Sequence, residues 1–334
     1  MFIQLTIGVL LLSLVTGYGS LLQVAIGFSA IVVYFYPLIR AYFLAQQLPK
    51  DLEQAFGKWT NTKTKPLDLT KLLTKIQRIE RRSLTYAELD GITLKLDYYN
   101  SAVSGKRPCV VVIHGGSWVS GDSRQLSSLN NRLAQIGYNV ASINYRLAPK
   151  WNFPAPIEDA TAALKYLRAH ADELNIDIDN FVLVGRSAGG QIVLLTAYTA
   201  TDLGIKGVVN FYGPADMIWG YHVHTNPLVI KGKEVLSTYL GGPYEQIPDK
   251  YAASSPIEFV NEKTVPTLTL QGTTDSLVFE EHAFRLAKKL DQFKVPNYFL
   301  RLPWATHGFD YHLYGPGGQL STYAIEHFLQ SVTK

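Results

Sequence analysis

The chain has 334 residues, more than one average domain needs and suited to one large α/β body with an appendage. Charged residues make up 17 %, against roughly a quarter in ordinary soluble domains, and the net charge is only +4. No Lys/Arg block interleaved with stacking aromatics stands out, so nucleic-acid binding is not supported, and a single cysteine, Cys109, excludes an intramolecular disulfide. Cys109 lies in an apolar run, where a thiol is expected to pack as a small core residue rather than act as a nucleophile.

Residues 2–39 carry no Asp, Glu, Lys, Arg or His. This exceeds the ~20 residues that one membrane-spanning helix needs, and Gly17-Tyr18-Gly19-Ser20 divides it in two. The pattern predicts a transmembrane helical hairpin within residues 1–45. A single span over 21–43, with the first stretch at the interface, is the alternative, and a helical pair buried in a soluble fold is a third. A cleaved signal peptide fits worse, because no basic residue precedes the apolar region and its length far exceeds the usual ~7–15 residues.

Residues 40–82 then hold ten Lys/Arg against four Asp/Glu, which by the positive-inside rule puts this flank and the body after it on the cytoplasmic side. Residues 46–83 read as a basic linker. Within it Leu69, Leu72, Leu73, Ile76 and Ile79 fall at helical spacing with Lys71, Lys75 and Arg78 between them. Such an amphipathic helix either lies on an anionic membrane surface or packs on the body.

From residue 84 the texture is that of alternating strands and helices. Strands 85–89 and 92–98 flank Asp90-Gly91, a strong hairpin signal. Strands follow at 110–113, 139–145, 181–184, 207–211, 267–271 and 298–302, with helices at 126–136, 156–174, after the third of these strands from residue 192, at 280–293 and 320–332. This predicts an α/β body over 84–334, a mostly parallel doubly wound sheet begun by an antiparallel hairpin. Residues 217–260 break the alternation and read as an insertion, either a lid over the site or a peripheral decoration. His222 and His224 within it have no accompanying ligand cluster and read as a chance pair, so no metal is expected.

The chemistry centres on Gly185-Arg186-Ser187-Ala188-Gly189, between a buried strand and a helix start. Such a G-x-S-x-G elbow holds a serine in a strained turn with its hydroxyl projecting from the sheet. A serine hydroxyl needs a general base, and the base needs an orienting group. Asp275 falls just past the strand 267–271, and His307 falls in the loop after the strand 298–302 and before the last helix. The order Ser, acid, His is that of the α/β-hydrolase elbow enzymes. His114-Gly115-Gly116-Ser117-Trp118 follows the strand 110–113, and its glycines would let backbone N–H groups, with that of Ala188, approach an oxygen gaining negative charge. His114 is expected to shape this loop rather than move protons.

Taken together, HGGSW, YRLAP at 145–149, FPAPIEDA at 153–160, GRSAGG, the Asp275 loop and HGF at 307–309 resemble the hormone-sensitive-lipase-like carboxylesterases of the α/β-hydrolase superfamily over about residues 107–334. The resemblance implies an α/β-hydrolase fold, Ser187 as nucleophile, His307 as base, Asp275 as its orienter, and the N–H groups of Gly116, Ser117 and Ala188 as oxyanion hole. It implies no cofactor and an ester substrate. Ser117 stands where the family usually has a third glycine, and Lys150 where it has glutamate. The loop Asp275-Ser276-Leu277-Val278 also resembles isoprenylcysteine methylesterases and arylformamidases, which leaves the place within the superfamily open. A membrane-anchored serine esterase is expected; an amide-directed hydrolase and a catalytically dead tethered binding module are the rivals.

Overall fold

The computed structural model describes residues 21–58, 64–74 and 78–333. Strands β1 (Arg81–Leu89) and β2 (Ile92–Tyr99) form the predicted hairpin, with Asp90 and Gly91 both at positive φ in the turn. β3 (Arg107–Ile113), β4 (Asn139–Ile143), β5 (Ile176–Arg186), β6 (Ile205–Phe211), β7 (Thr267–Gly272) and β8 (Asn297–Leu302) follow. They make one eight-stranded sheet in the order β1-β2-β4-β3-β5-β6-β7-β8. The β1–β2 and β2–β4 pairings are antiparallel and the other five parallel.

The central strands are apolar at successive positions because both faces of the sheet are covered. Cys109, Val111, Ile113, Phe181 and Leu183 face one core; Val110, Val112, Val182 and Val184 face the other. Cys109 is fully buried, and burial pushes its thiol well above the usual range, as a packed, unreactive cysteine requires.

Helix α1 (Leu21–Phe56) is long and apolar enough to cross a membrane. Its first half exposes large apolar side chains, among them Phe28 (64 %) and Val33 (69 %). Its second half does the opposite. Ala41, Ala45, Leu48 and Leu52 recur on one face and are buried in the same cluster as Val209, Leu268 and Phe328. Burying Leu48 and Leu52 contributes about 1.5–3 kcal/mol each. The helix end is fixed as well: Phe56 meets Phe328 edge to face at 4.8 Å, and Tyr298 Oη donates to Asp51 Oδ2 (3.2 Å).

The expected boundary at residue 45 is therefore crossed by a continuous helix, and residues 46–56 are part of the body rather than of a linker. The predicted first span, and the Gly17–Gly19 turn with it, lie outside the described residues. The helix predicted around 69–79 is only a five-residue 3-10 helix, Leu69–Leu73. Asp68 caps it by accepting from Thr70 N, and Thr74 turns extended, which ends it before the apolar repeat can propagate. Residues 75–77 are not described.

Helices α2 (Ser128–Gln135), α3 (Ala155–Ala169) and α4 (Ala188–Thr199) agree with the sequence pattern. The helix predicted over 156–174 breaks at His170, and a separate turn, Ala171–Leu174, ends on Asn175 at φ 54°. The insertion 217–260 is built from three short helices, α5 (Met217–His222), α6 (Gly232–Leu240) and α7 (Pro248–Ala253), and a 3-10 turn, Pro256–Phe259. After it, α8 (Glu281–Gln292) and α9 (Pro316–Val332) complete the body.

Candidate active site

At the C-terminal end of β5, in the middle of the sheet, the chain turns through Ser187, whose backbone sits at φ 52°, ψ −121°. Such a conformation is strained for a residue with a side chain and persists only where the surroundings impose it. They do so here from both sides. Ser187 N donates to Phe211 O (2.9 Å), and Ser187 O accepts from Gly190 N (2.8 Å) at the start of α4. The flanking glycines are needed for close approach. A Cβ at Gly185 would lie 2.1 Å from Gly189 O, and one at Gly189 would lie 2.3 Å from Ile113 O.

Asp275 and His307, from the loops after β7 and β8, meet as the sequence pattern predicts. His307 Nδ1 donates to Asp275 Oδ2 at 2.7 Å. Asp275 is buried, and its oxygens are otherwise satisfied: Oδ1 accepts from Leu277 N (2.9 Å) and Val278 N (3.0 Å), and Oδ2 also accepts from Gln271 Nε2 (3.1 Å). With Nδ1 donating, neutral His307 has Nε2 unprotonated and able to accept a proton. Ser187 and His307 line one cavity of about 530 Å³. No hydrogen bond joins their side chains, a looseness common in catalytic pairs before substrate tightens them.

The loop after β3 supplies the third part. A Cβ at Gly116, whose φ is 120°, would collide with Ser120 O at 2.0 Å, and Ser117 and Trp118 follow at φ 52° and 62°. Gly115 N is taken by Gln125 Oε1 (2.8 Å). The N–H groups of Gly116, Ser117 and Ala188 donate to no acceptor among the described residues, and all three residues line the cavity. His114 is buried and stacks on Tyr145 (4.4 Å between ring centres). Its Nδ1 donates to Gly115 O (2.7 Å), and burial lowers its pKa, so it holds the loop as a neutral ring.

The motifs around Tyr145 and Phe153 brace the site from behind. Arg146 Nε donates to the fully buried Asp159 (2.8 Å), while Nη2 reaches Glu158 (2.8 Å) and Nη1 reaches Asp90 at the hairpin (2.5 Å). These contacts tie α3 to the first hairpin.

The insertion forms much of the cavity wall through Met217, Val223, Val229, Ile230, Val235 and Leu236. Two tryptophans lie near this wall, and of them only Trp118 lines the cavity. Trp118 is buried, stacked on Tyr239 at 4.2 Å, with its Nε1 donating to Gln191 Oε1 (3.0 Å). Trp219 packs edge to face on His282 at 4.8 Å and does not line the cavity.

Three supports were not legible from spacing. Gln191 also donates through Nε2 to Ser254 O (2.8 Å), joining the Trp118 loop to the end of the insertion. Gln271 steadies Asp275, as described above. Arg186 Nε donates to Asp310 Oδ2 (2.6 Å) in a fully buried pair, Tyr212 Oη donates to Asp310 Oδ1 (2.5 Å), and the Tyr212 ring lies against His307 at 4.4 Å. The signals were present as the Arg beside Ser187 and the Asp three residues after His307, but nothing in their spacing pairs residues so far apart.

Comparisons with known proteins bear on the family and the fold. Residues 96–290 match the BD-FAE family. The probable carboxylic ester hydrolase LipM of Mycobacterium tuberculosis is 30 % identical over 245 residues, covering 69 % of this chain and 56 % of LipM. The esterase LipC of the same organism is 27 % identical over 270 residues, covering 76 % of this chain and 66 % of LipC. The chain thus spans between about half and two thirds of the length of such curated relatives. Among solved structures, a bacterial heroin esterase superposes with a TM-score of 0.69 at 23 % identity, covering 88 % of this chain and 98 % of that one. That likeness shows the fold, which is the predicted α/β-hydrolase fold.

Proposed function

The chain belongs to the BD-FAE family, within the hormone-sensitive-lipase-like branch of the α/β-hydrolases, and we propose that it is a membrane-anchored serine hydrolase of carboxylic esters. One observation carries the reading. Ser187, at a strained elbow, shares a cavity with His307, which Asp275 orients at 2.7 Å, and with the N–H groups of Gly116, Ser117 and Ala188, which have no acceptor among the described residues. Ester hydrolysis is also the activity in the names of LipM and LipC.

Ser187 Oγ attacks the ester carbonyl carbon while His307 Nε2 takes its proton, and Asp275 stabilises the imidazolium through Nδ1–H. The carbonyl oxygen becomes an oxyanion among the three N–H groups, each such donor being worth about 2.7–4 kcal/mol in the transition state. Collapse breaks the ester C–O bond, the alcohol leaves with the proton from His307, and Ser187 is left acylated. Water then adds by the same route, with His307 as base, and releases the acid.

The exposed apolar half of α1 would cross the bilayer, and the basic flank would hold the body on the cytoplasmic face. Because α1 continues into the core, the anchor is a rigid mount rather than a tether. An apolar cavity on such a mount suits esters that are amphiphilic or held in the bilayer.

The test is hydrolysis by full-length protein in liposomes, comparing Ser187→Ala with the natural sequence on matched ester and amide panels. Turnover of esters that Ser187→Ala abolishes supports the reading. Ester turnover that survives in Ser187→Ala, or turnover of amides alone, overturns it. Comparing soluble with long-chain lipid esters, before and after removal of residues 1–40, tests the amphiphilic substrate: equal losses on both would leave the anchor no part in substrate choice.

A further inference from the structure

His282, near the start of α8, takes no part in the mechanism above, yet it lines the same cavity as Ser187 and His307. It is 5 % exposed. Its two ring nitrogens meet different surroundings. Nδ1 accepts the N–H of Asp216 (3.3 Å), the residue that caps α5. A ring nitrogen that accepts carries no proton, so the neutral ring holds its proton on Nε2.

Among the described residues no protein atom partners Nε2. The ring is held in place on its other sides. Trp219 packs on it edge to face, and the Cε1–Nε2 edge lies beside Gly220, where a Cβ would come within 3.0 Å of Cε1 and 3.2 Å of Nε2. Gly220 is itself part of the cavity wall. Burial lowers the pKa of His282 to about 4, so near neutral pH the ring is an uncharged donor.

The insertion's share of this cavity wall, from Met217, Val223, Ile230, Val235 and Leu236, is apolar. A fixed donor in such a wall costs free energy if a ligand covers it without an acceptor. It therefore discriminates between ligands of the same shape that differ in one oxygen.

We infer that His282 Nε2–H is a specificity-determining donor for an ester whose apolar portion carries a neutral acceptor oxygen, a carbonyl, ether or hydroxyl, a few bonds from the scissile carbonyl. This rests on the serine-esterase reading.

The experiment measures kcat/KM of full-length protein for two matched pairs. 4-Nitrophenyl 3-methoxypropanoate against the pentanoate tests the oxygen on the acyl side; 2-methoxyethyl butanoate against butyl butanoate does so on the alcohol side. Intrinsic reactivity cancels when each oxygen-to-carbon ratio is compared between variant and natural protein. His282→Asn keeps a side-chain carbonyl for Asp216 N–H but cannot reach the place of Nε2. His282→Gln carries an amide N–H there. The ratio for one pair is expected to fall roughly three- to tenfold in His282→Asn, the scale of one neutral hydrogen bond, and to be largely kept in His282→Gln. Gly220→Ala, which crowds Nε2 without touching the Asp216 contact, should lower the same ratio.

Unfolding midpoints of all variants check that the fold is kept, and Gly220→Ala decides if His282→Asn does not fold. Unchanged ratios for both pairs in the folded variants, or equal losses for both members of each pair, overturn the proposal. Loss of Ser187 dependence on the all-carbon esters would instead overturn the underlying esterase reading.

Discussion

The floor and the roof of the cavity are built on opposite principles. On the floor, at the ends of β3, β5, β7 and β8, polar groups are fixed by partners: Asp275 by two backbone N–H groups, Gln271 and His307, and the Gly116 loop by Gln125 and Ser120. The roof, from the insertion 217–260, offers mainly apolar side chains on short helices. On the proposed function, chemistry that must hold its groups to a fraction of an ångström would sit on the sheet, and surface that sorts substrates by shape on the inserted segment. Damage to the floor should change rates on every substrate, and damage to the roof should change the ranking among them.

The largest effect is expected on the floor. Asp275→Asn leaves the shape but orients the wrong tautomer of His307, and kcat should fall by about 10⁴ for all esters, by analogy with the same change in a known triad. Stopped-assay rates on a short and a long acyl ester measure this; a loss confined to one of them would place Asp275 in the roof's class.

Next is the pair beneath the floor. Asp310→Ala leaves Arg186 buried and uncompensated and should cost about 3–5 kcal/mol of stability. It also frees Tyr212 from the contact that holds it beside His307. Denaturant unfolding of the detergent-solubilised protein checks the cost, and a change under about 1 kcal/mol would mean that Arg186 finds another partner.

His282, where roof meets floor, links stability to pH. Its folded pKa of about 4 lies below the 6.5 of an unperturbed histidine, so between these values the unfolded chain binds a proton that the folded one does not. The stability this withholds is absent above pH 6.5 and grows as pH falls towards 4, reaching about 3 kcal/mol. Burial lowers the pKa values of His114 and His327 as well, which adds slope of the same sign. Unfolding midpoints between pH 7 and pH 4 should fall less steeply in His282→Gln than in the natural sequence; parallel slopes would contradict a neutral buried ring.

The smallest effect is expected in the roof. Ile230→Ala enlarges the wall and should shift the preference between short and long acyl chains by about tenfold, the scale of a missing methylene or two in an apolar pocket. The rate on the short ester should stay nearly constant. A uniform loss across chain lengths would show that the insertion also sets the catalytic geometry.

What could be read from the sequence was what lies in contiguous strings. The elbow, the Gly115-Gly116 turn and the strand ends before Asp275 and His307 are local, because each combines an apolar strand with a loop whose glycines or polar residues have a backbone reason to be there. Long-range supports were hidden. Arg186 and Asp310 are 124 residues apart, Trp118 and Gln191 73 apart, and no periodicity joins them. The boundary at residue 45 was misplaced for a similar reason. The change from apolar to basic composition falls within α1, while the helix itself ends at Phe56, and Ala41, Ala45, Leu48 and Leu52 carry only a faint repeat across that change. Near 69–79 the repeat was clear and the helix short, since Asp68 and Thr74 bound it on either side.

The proposed function requires Ser187 to be a nucleophile activated by its neighbours. Its most direct test is to label the full-length protein with a fluorophosphonate and map the modified serine by peptide mass spectrometry. Stoichiometric modification at Ser187, absent from Ser187→Ala and slowed by orders of magnitude in His307→Ala, is the predicted result. Modification of a different serine, or of none in a folded protein, would contradict it.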